Sequence, residues 1–209
     1  MSDPRGCQLC PRLVAFRQQQ QARHPGYHNR PVPSFGANPA RLLIVGLAPG
    51  LHGANASGRP FTGDSSGSLL FEALHRFGHA SHHRSCASDD GLRLYSCRIT
   101  NAVKCVPPGN RPLASEVNTC NRYLRAEIAA LPRGSILLAL GTVAHRAIVR
   151  TMDLQQSQYR FRHAAEFVLP NDMKLFDSYH PSRYNQNTGR LTGAMLAGVF
   201  ERIEAVLRG

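Results

Sequence analysis

No stretch of the sequence is apolar for long enough to cross a bilayer, which takes roughly 20 residues; the longest apolar run, 135–141, is about a third of that. The opening Met1-Ser2-Asp3-Pro4-Arg5-Gly6-Cys7 lacks the apolar core that marks a secretory signal. These two absences exclude a membrane partner and predict a soluble, cytoplasmic protein. Acidic side chains are scarce as well: 13 Asp plus Glu face 25 Lys plus Arg, a formal net charge of +12. An excess of that size makes polyanions, nucleic acid first among them, the expected partner class, although charge alone says nothing of fold. Six cysteines in 209 residues are too few for a disulfide scaffold, and where thiols stay reduced their spacing is read for metal instead. Internal repeats are absent. The glutamine run 18–21, flanked by Arg17 and Arg23, reads as a solvated helix face.

What is present describes one globular domain spanning 1–209, with 42% hydrophobic and 18% charged residues and ordinary amounts of Gly (18) and Pro (14). The apolar run 41–47 stops at Ala48-Pro49-Gly50, as a buried strand feeding a loop does. After the candidate caps Ser65, Ser66 and Ser68, the spacing of Leu69, Leu70, Ala73, Leu74 and Phe77 predicts a helix that Gly78 ends. A second strand region covers 92–103, helical spacing returns over 114–131, and 135–140 is the clearest buried strand, followed by a helix from Gly141-Thr142 to about Arg150. Strands are expected over 161–169 and 174–179, and an amphipathic helix over 191–207 with Met195, Val199, Phe200, Ile203 and Val206 on its apolar side. This alternation predicts an α/β fold, a three-layer αβα sandwich around a central, mainly parallel four-stranded sheet. In such sheets ligands bind beyond the carboxyl ends of the strands, here the loops after Leu47, Asn101, Leu140 and Tyr179.

Between 79 and 91, His79, His82 and His83 stand among Ser and Asp with nothing regular beside them, so a solvated loop is expected there rather than a metal site. The thiols are different. Cys7-x-x-Cys10 is a chelating pair, and Cys105 and Cys120 follow with fourteen residues between them. A pair plus two single thiols can close a four-thiolate site for zinc or for an iron-sulfur cluster, and spacing does not separate the two. The competing reading, that Cys105 and Cys120 are ordinary buried cysteines, leaves the pair at a polar terminus without a packing reason. Cys97 is expected in the core and Cys86 in the His-bearing loop, neither with a chemical role.

The loop Gly46-Leu47-Ala48-Pro49-Gly50-Leu51-His52-Gly53 has neither the lysine of a phosphate-binding P-loop nor the glycine spacing of a dinucleotide fingerprint. It offers backbone N–H groups and close approach, which suit a flat base or a phosphate. Together with Gly58-Arg59-Pro60-Phe61-Thr62-Gly63-Asp64, Thr100-Asn101-Ala102-Val103-Lys104-Cys105, His180-Pro181-Ser182 and the four cysteines, in this order, it resembles the iron-sulfur uracil-DNA glycosylases from Cys7 to about Asn187. Type A (family 4) members carry Glu where this chain has Leu47. His52-Gly53, Asp64 and His180-Pro181-Ser182 are similar to type B (family 5) instead, with Gly50 a small departure from the Ala more usual there.

That resemblance implies a base-excision-repair hydrolase that cleaves the N-glycosidic bond of uracil, and of hypoxanthine, xanthine or other deaminated bases, in DNA, acting as a monomer. It implies that Phe61 stacks on the extruded base, Asn101 bonds its Watson–Crick edge, His180 sits at the base carbonyl, and Asp64 positions water. Gly46 and Ala48 would line the base site, and Cys7, Cys10, Cys105 and Cys120 would hold a structural [4Fe-4S] cluster. The chemistry agrees: bond cleavage puts negative charge on the base and positive charge on the sugar, which calls for a donor at one and a carboxylate near the other. Ser182, Arg183, Tyr184 and Asn185, after the His-Pro-Ser turn, are candidates for wedging the duplex and gripping its phosphates. A rival from another class is a non-enzymatic metal-containing protein that binds nucleic acid. A zinc nucleobase deaminase is set aside, since His-x-Glu followed by Pro-Cys-x-x-Cys is absent.

Overall fold

The computed structural model describes residues 3–209; Met1 and Ser2, at the start of the N-terminal stretch read above, lie outside the described residues. Four parallel strands form the middle of the sheet: β2 (Leu42–Gly46), β3 (Cys97–Asn101), β4 (Ile136–Leu140) and β6 (Lys174–Ser178). These correspond to the expected four-stranded core. Two short antiparallel strands extend it, β1 (Phe35–Gly36) beside β3 and β5 (Glu166–Val168) beside β6, so the full sheet has six strands in the order β1-β3-β2-β4-β6-β5. A two-residue strand carries no periodicity, which is why β1 leaves no trace in the sequence.

Each central strand is buried on both faces, and alternation assigns its side chains to two cores. Leu42, Ile44, Leu138 and Leu140 face α3 (Ser65–Arg76) and α7 (Gly193–Arg208), meeting Leu70, Phe71, Leu196 and Phe200. Leu43, Val45, Leu137 and Ala139 face α4 (Ala114–Ala129) and α5 (Thr142–Thr151), meeting Leu124, Ile128, Ala144 and Ile148. The result is the expected αβα sandwich. Three further helices serve the ends of the sheet: α1 (Pro11–Arg23), α2 (Ala54–Ser57) and α6 (Arg183–Asn187).

Two local expectations need correction. The glutamine run does lie on a largely solvated face of α1, but Gln20 is buried. The 79–91 segment is not simply solvated: His82 and His83 are exposed, whereas His79 is buried. Its Nε2 lies 2.7 Å from Glu204 Oε1 on α7 and its Nδ1 3.3 Å from the Tyr95 carbonyl. Ring closure against α7, invisible in local sequence, overrides the polar composition of the segment. Replacing Glu204 with Ala leaves the buried ring nitrogen without its acceptor and is expected to cost about 1–3 kcal/mol. Glu204→Gln retains an acceptor and is expected to lose less, as measured by urea unfolding midpoints.

Candidate active site

β2, β3, β4 and β6 end at one edge of the sheet, and the loops beyond β2, β3 and β6 line a cleft of about 700 Å³; the loop after Leu140 and Gly46, both expected there, contribute no lining residue. Leu47, Ala48, Phe61, Asp64, Asn101 and His180 all line it. The sequence reading thus converges on a single place.

Glycine at 46 is required by what crowds the end of β2: a Cβ there would come within 2.4 Å of Asn101 Oδ1 and 2.6 Å of the Phe61 ring. Its carbonyl accepts from Ala102 N–H at 2.9 Å, so Gly46 serves the cleft by giving up space. Phe61 occupies the left-handed region (φ +55°), a conformation disfavoured for a bulky residue. The chain beneath must be glycine too, because a Cβ on Gly67 would lie 1.8 Å from the Phe61 carbonyl oxygen. In this turn the ring lies almost parallel to that of His180, with centroids 5.9 Å apart and planes 28° apart.

Asn101 closes β3 and is buried, with its amide at the cleft wall. His180 follows β6 and packs over Gly141, where a Cβ would touch it at 3.4 Å. Its carbonyl accepts from the Asn185 amide at 2.8 Å. Burial pushes the His180 imidazole down to about 4, so near neutral pH the ring is uncharged and carries one N–H to donate. Asp64 is the N-cap of α3: Oδ1 accepts from Gly67 N–H at 2.9 Å. Oδ2 is turned toward Gly50 and Gly53, where a Cβ on Gly53 would come within 2.6 Å of it. Burial raises its carboxyl above the usual range, against the lowering effect of hydrogen bonds from Gly67 and Ser66. Cap and cleft residue are therefore the same side chain, one oxygen for each.

At the rim, Ser182 caps α6 through Asn185 N–H, and Arg183 and Tyr184 line the mouth, Tyr184 with 71% of its surface free. Asn185, expected at DNA, does not line the cleft; its amide donates to the His180 carbonyl and holds that loop. Sequence reasoning gave no role to Tyr27, whose hydroxyl lies 3.1 Å from Nδ1 of His52 at the cleft, nor to Asn110, which also lines it. It also passed over the buried Lys104, paired with Glu127 at 2.9 Å. A lysine embedded in a motif that ends on a cysteine was the available signal.

Cys7, Cys10, Cys105 and Cys120 surround a second, small cavity beside α1, together with Arg17, Lys104 and Tyr123. All are free thiols. Among the described residues no three metal-ligating side chains converge tightly enough for one metal ion. The chemistry of the setting fits a bound anionic thiolate cluster. Lys104 N–H donates to Cys120 Sγ at 3.2 Å, and the buried Nε of Arg17 has no partner. Burial pushes the bare thiols of Cys105 and Cys120 up to about 12 and about 11, so they ionise only with a cation to compensate. Cys97 is buried on β3 as expected, and Cys86 is exposed.

Residues 33–204 match the model of the uracil DNA glycosylase superfamily. A type-5 uracil-DNA glycosylase of Thermus thermophilus is 45% identical over 93% of this chain and 90% of its own. One of Pyrobaculum aerophilum is 42% identical over 95% and 88%, whereas a type-4 enzyme of the same organism reaches 35% over 75% and 74%. The fold is also similar to a crystal structure of wild-type SMUG2 from Pedobacter heparinus, with a TM-score of 0.51, 14% identity, and coverage of 93% of this chain and 85% of that one. The chain belongs to the uracil DNA glycosylase superfamily, on its type-5 branch.

Proposed function

We propose that this protein is a monofunctional DNA glycosylase that hydrolyses the N-glycosidic bond of uracil in DNA and so begins base excision repair. The observation that carries the reading is the gathering of Phe61, Asn101, an uncharged His180 and Asp64 around one cleft in a chain of this family. An extruded base enters face-on to Phe61, a contact worth roughly 1–3 kcal/mol for stacked bases. The Asn101 amide offers a donor and an acceptor to the imide edge. As the bond lengthens, the N–H of His180 meets the charge that collects on the base carbonyl, and a neutral donor leaves that charge on the departing base. Oδ2 of Asp64 serves the sugar side, orienting water and facing the positive charge that develops there. A desolvated carboxylate and an uncharged imidazole in one cleft favour catalysis over DNA binding alone.

Arg183 and the exposed Tyr184 stand where a wedge and a phosphate contact are needed, and the excess of basic residues supplies further phosphate contacts. Hypoxanthine and xanthine present the same kind of imide or lactam edge to Asn101, which extends the reading to other deaminated bases. Cys7 and Cys10 before α1, Cys105 after β3 and Cys120 in α4 would hold a [4Fe-4S] cluster, which would join these segments. Hydrolysis consumes no electrons, so the cluster is structural. The protein acts as a cytoplasmic monomer.

Single-turnover excision from a uracil duplex is expected to fall by about 10²–10³ in His180→Ala, the range for losing one such donor. Asp64→Asn is expected to slow base release while the fold survives, since Asn caps helices as well as Asp does. Only the ionised Asp64 is active, so the wild-type rate should be lost as pH falls through its raised carboxyl pKa, and Asp64→Asn should lack that limb. A full rate in Asp64→Asn would reduce this residue to a cap. The purified protein is expected to be brown, and Cys7→Ser or Cys120→Ser to lose both colour and solubility; a colourless protein carrying stoichiometric zinc would refute the cluster alone. Affinity for undamaged duplex should fall with salt at a log–log slope of about −0.9 per phosphate neutralised.

A further inference from the structure

Arg59 is 4% exposed, an unusual position for a guanidinium, and every arm of it is engaged. Nε donates to Thr62 Oγ1 at 2.9 Å, Nη1 to the Ser88 carbonyl at 3.3 Å, and Nη2 to Ser85 Oγ at 2.7 Å and to Asp90 Oδ2 at 2.6 Å. The plane of the guanidinium lies over the Phe35 ring, 4.8 Å from its centroid. Asp90 in turn gathers its own loop, accepting from Cys86 and Ala87 N–H on Oδ2 and from Leu92 N–H on Oδ1. Thr62 and Ser85 share a hydroxyl contact of 2.6 Å, and Gly63 N–H donates to the Ser85 carbonyl at 3.1 Å. The segment between 79 and 91 is thereby laced to the turn 59–63, which carries Phe61 and leads straight into Asp64.

We propose that the Arg59–Asp90 pair is a positioning latch for excision: it holds the left-handed turn that presents the Phe61 ring to the base and sets where Asp64 begins α3. The inference rests on the glycosylase reading above. Phe61 has a backbone conformation that its side chain disfavours, so something outside the turn must hold it. Gly67 makes room beneath it, and the forked guanidinium ties the next residue, Thr62, to Ser85, Ser88 and Asp90. Lysine carries the same charge but a single ammonium, which cannot reach Thr62, Ser85, Ser88 and Asp90 together. Neither Arg59 nor Asp90 lines the cleft, so both act through the residues that do.

The test uses Arg59→Lys and Asp90→Asn in the full chain, with four readouts. These are single-turnover release from a uracil duplex per folded molecule, inhibition by free uracil, affinity for an abasic-site duplex, and the unfolding midpoint. Both variants are expected to release uracil about tenfold or more slowly and to bind free uracil correspondingly less well, the scale of effect for a misplacement of under an ångström. Affinity for abasic DNA should be unchanged, because that product has no base to stack. A wild-type rate and wild-type uracil inhibition with only a lowered midpoint would overturn the proposal, as would an equal loss of abasic-site affinity. Should both variants fail to fold, Ser85→Ala keeps the ion pair and removes the shared hydroxyl. It is expected to lower the same two readouts by less, and no change would overturn the latch. The wild-type protein serves as the separate control: if it leaves uracil duplexes intact, the glycosylase reading fails and not the latch alone.

Discussion

Gly46 stands where any side chain would collide with both Asn101 and Phe61, and the close approach it permits governs the rest of the cleft. The amide and the ring share the volume that a Cβ would take, so a polar edge and an aromatic face stand together at the cleft wall. That contact fixes how far Phe61 must reach, and with it the left-handed turn, the bare backbone of Gly67 below and the start of α3 at Asp64. His180, arriving from β6, completes the enclosure. A single missing side chain thereby ties two strand ends, one loop and one helix to a common geometry.

Burial acts on the ionisable groups of this site in opposite senses. It strips the proton from His180 and favours the proton on Asp64, because in both cases the charged form loses its water. A strongly basic composition therefore accompanies a site in which charge is costly. The thiol cavity follows the same rule, burial favouring the neutral thiols of Cys105 and Cys120.

Much of this was legible in the sequence where a residue's role depends on its neighbours in the chain. The runs 41–47 and 135–140 became β2 and β4 because a strand buried on both faces must be continuously apolar. Three serines, Ser65, Ser66 and Ser68, marked the start of α3, but the cap itself is Asp64, one of whose oxygens serves the helix while the other faces Gly50 and Gly53. What stayed hidden was long-range. His79 pairs with a glutamate 125 positions later, and Arg59 with an aspartate 31 later. No local pattern encodes such partners. Within segments that are otherwise solvated, single polar residues such as Gln20 and His79 turn inward.

The order of strands also bears on how the molecule fails. The two most apolar strands, β2 and β4, lie side by side at the centre of the sheet. Outside them come β3 and β6, which carry Arg98, Thr100, Asn101, Lys174 and Asp177, and beyond these only strands of two and three residues. Thermal fraying from either edge first frees short or polar strands, which make poor templates for pairing with another chain. The segments most able to nucleate aggregation come loose last, so partial opening of the sheet is reversible for as long as its central pair holds.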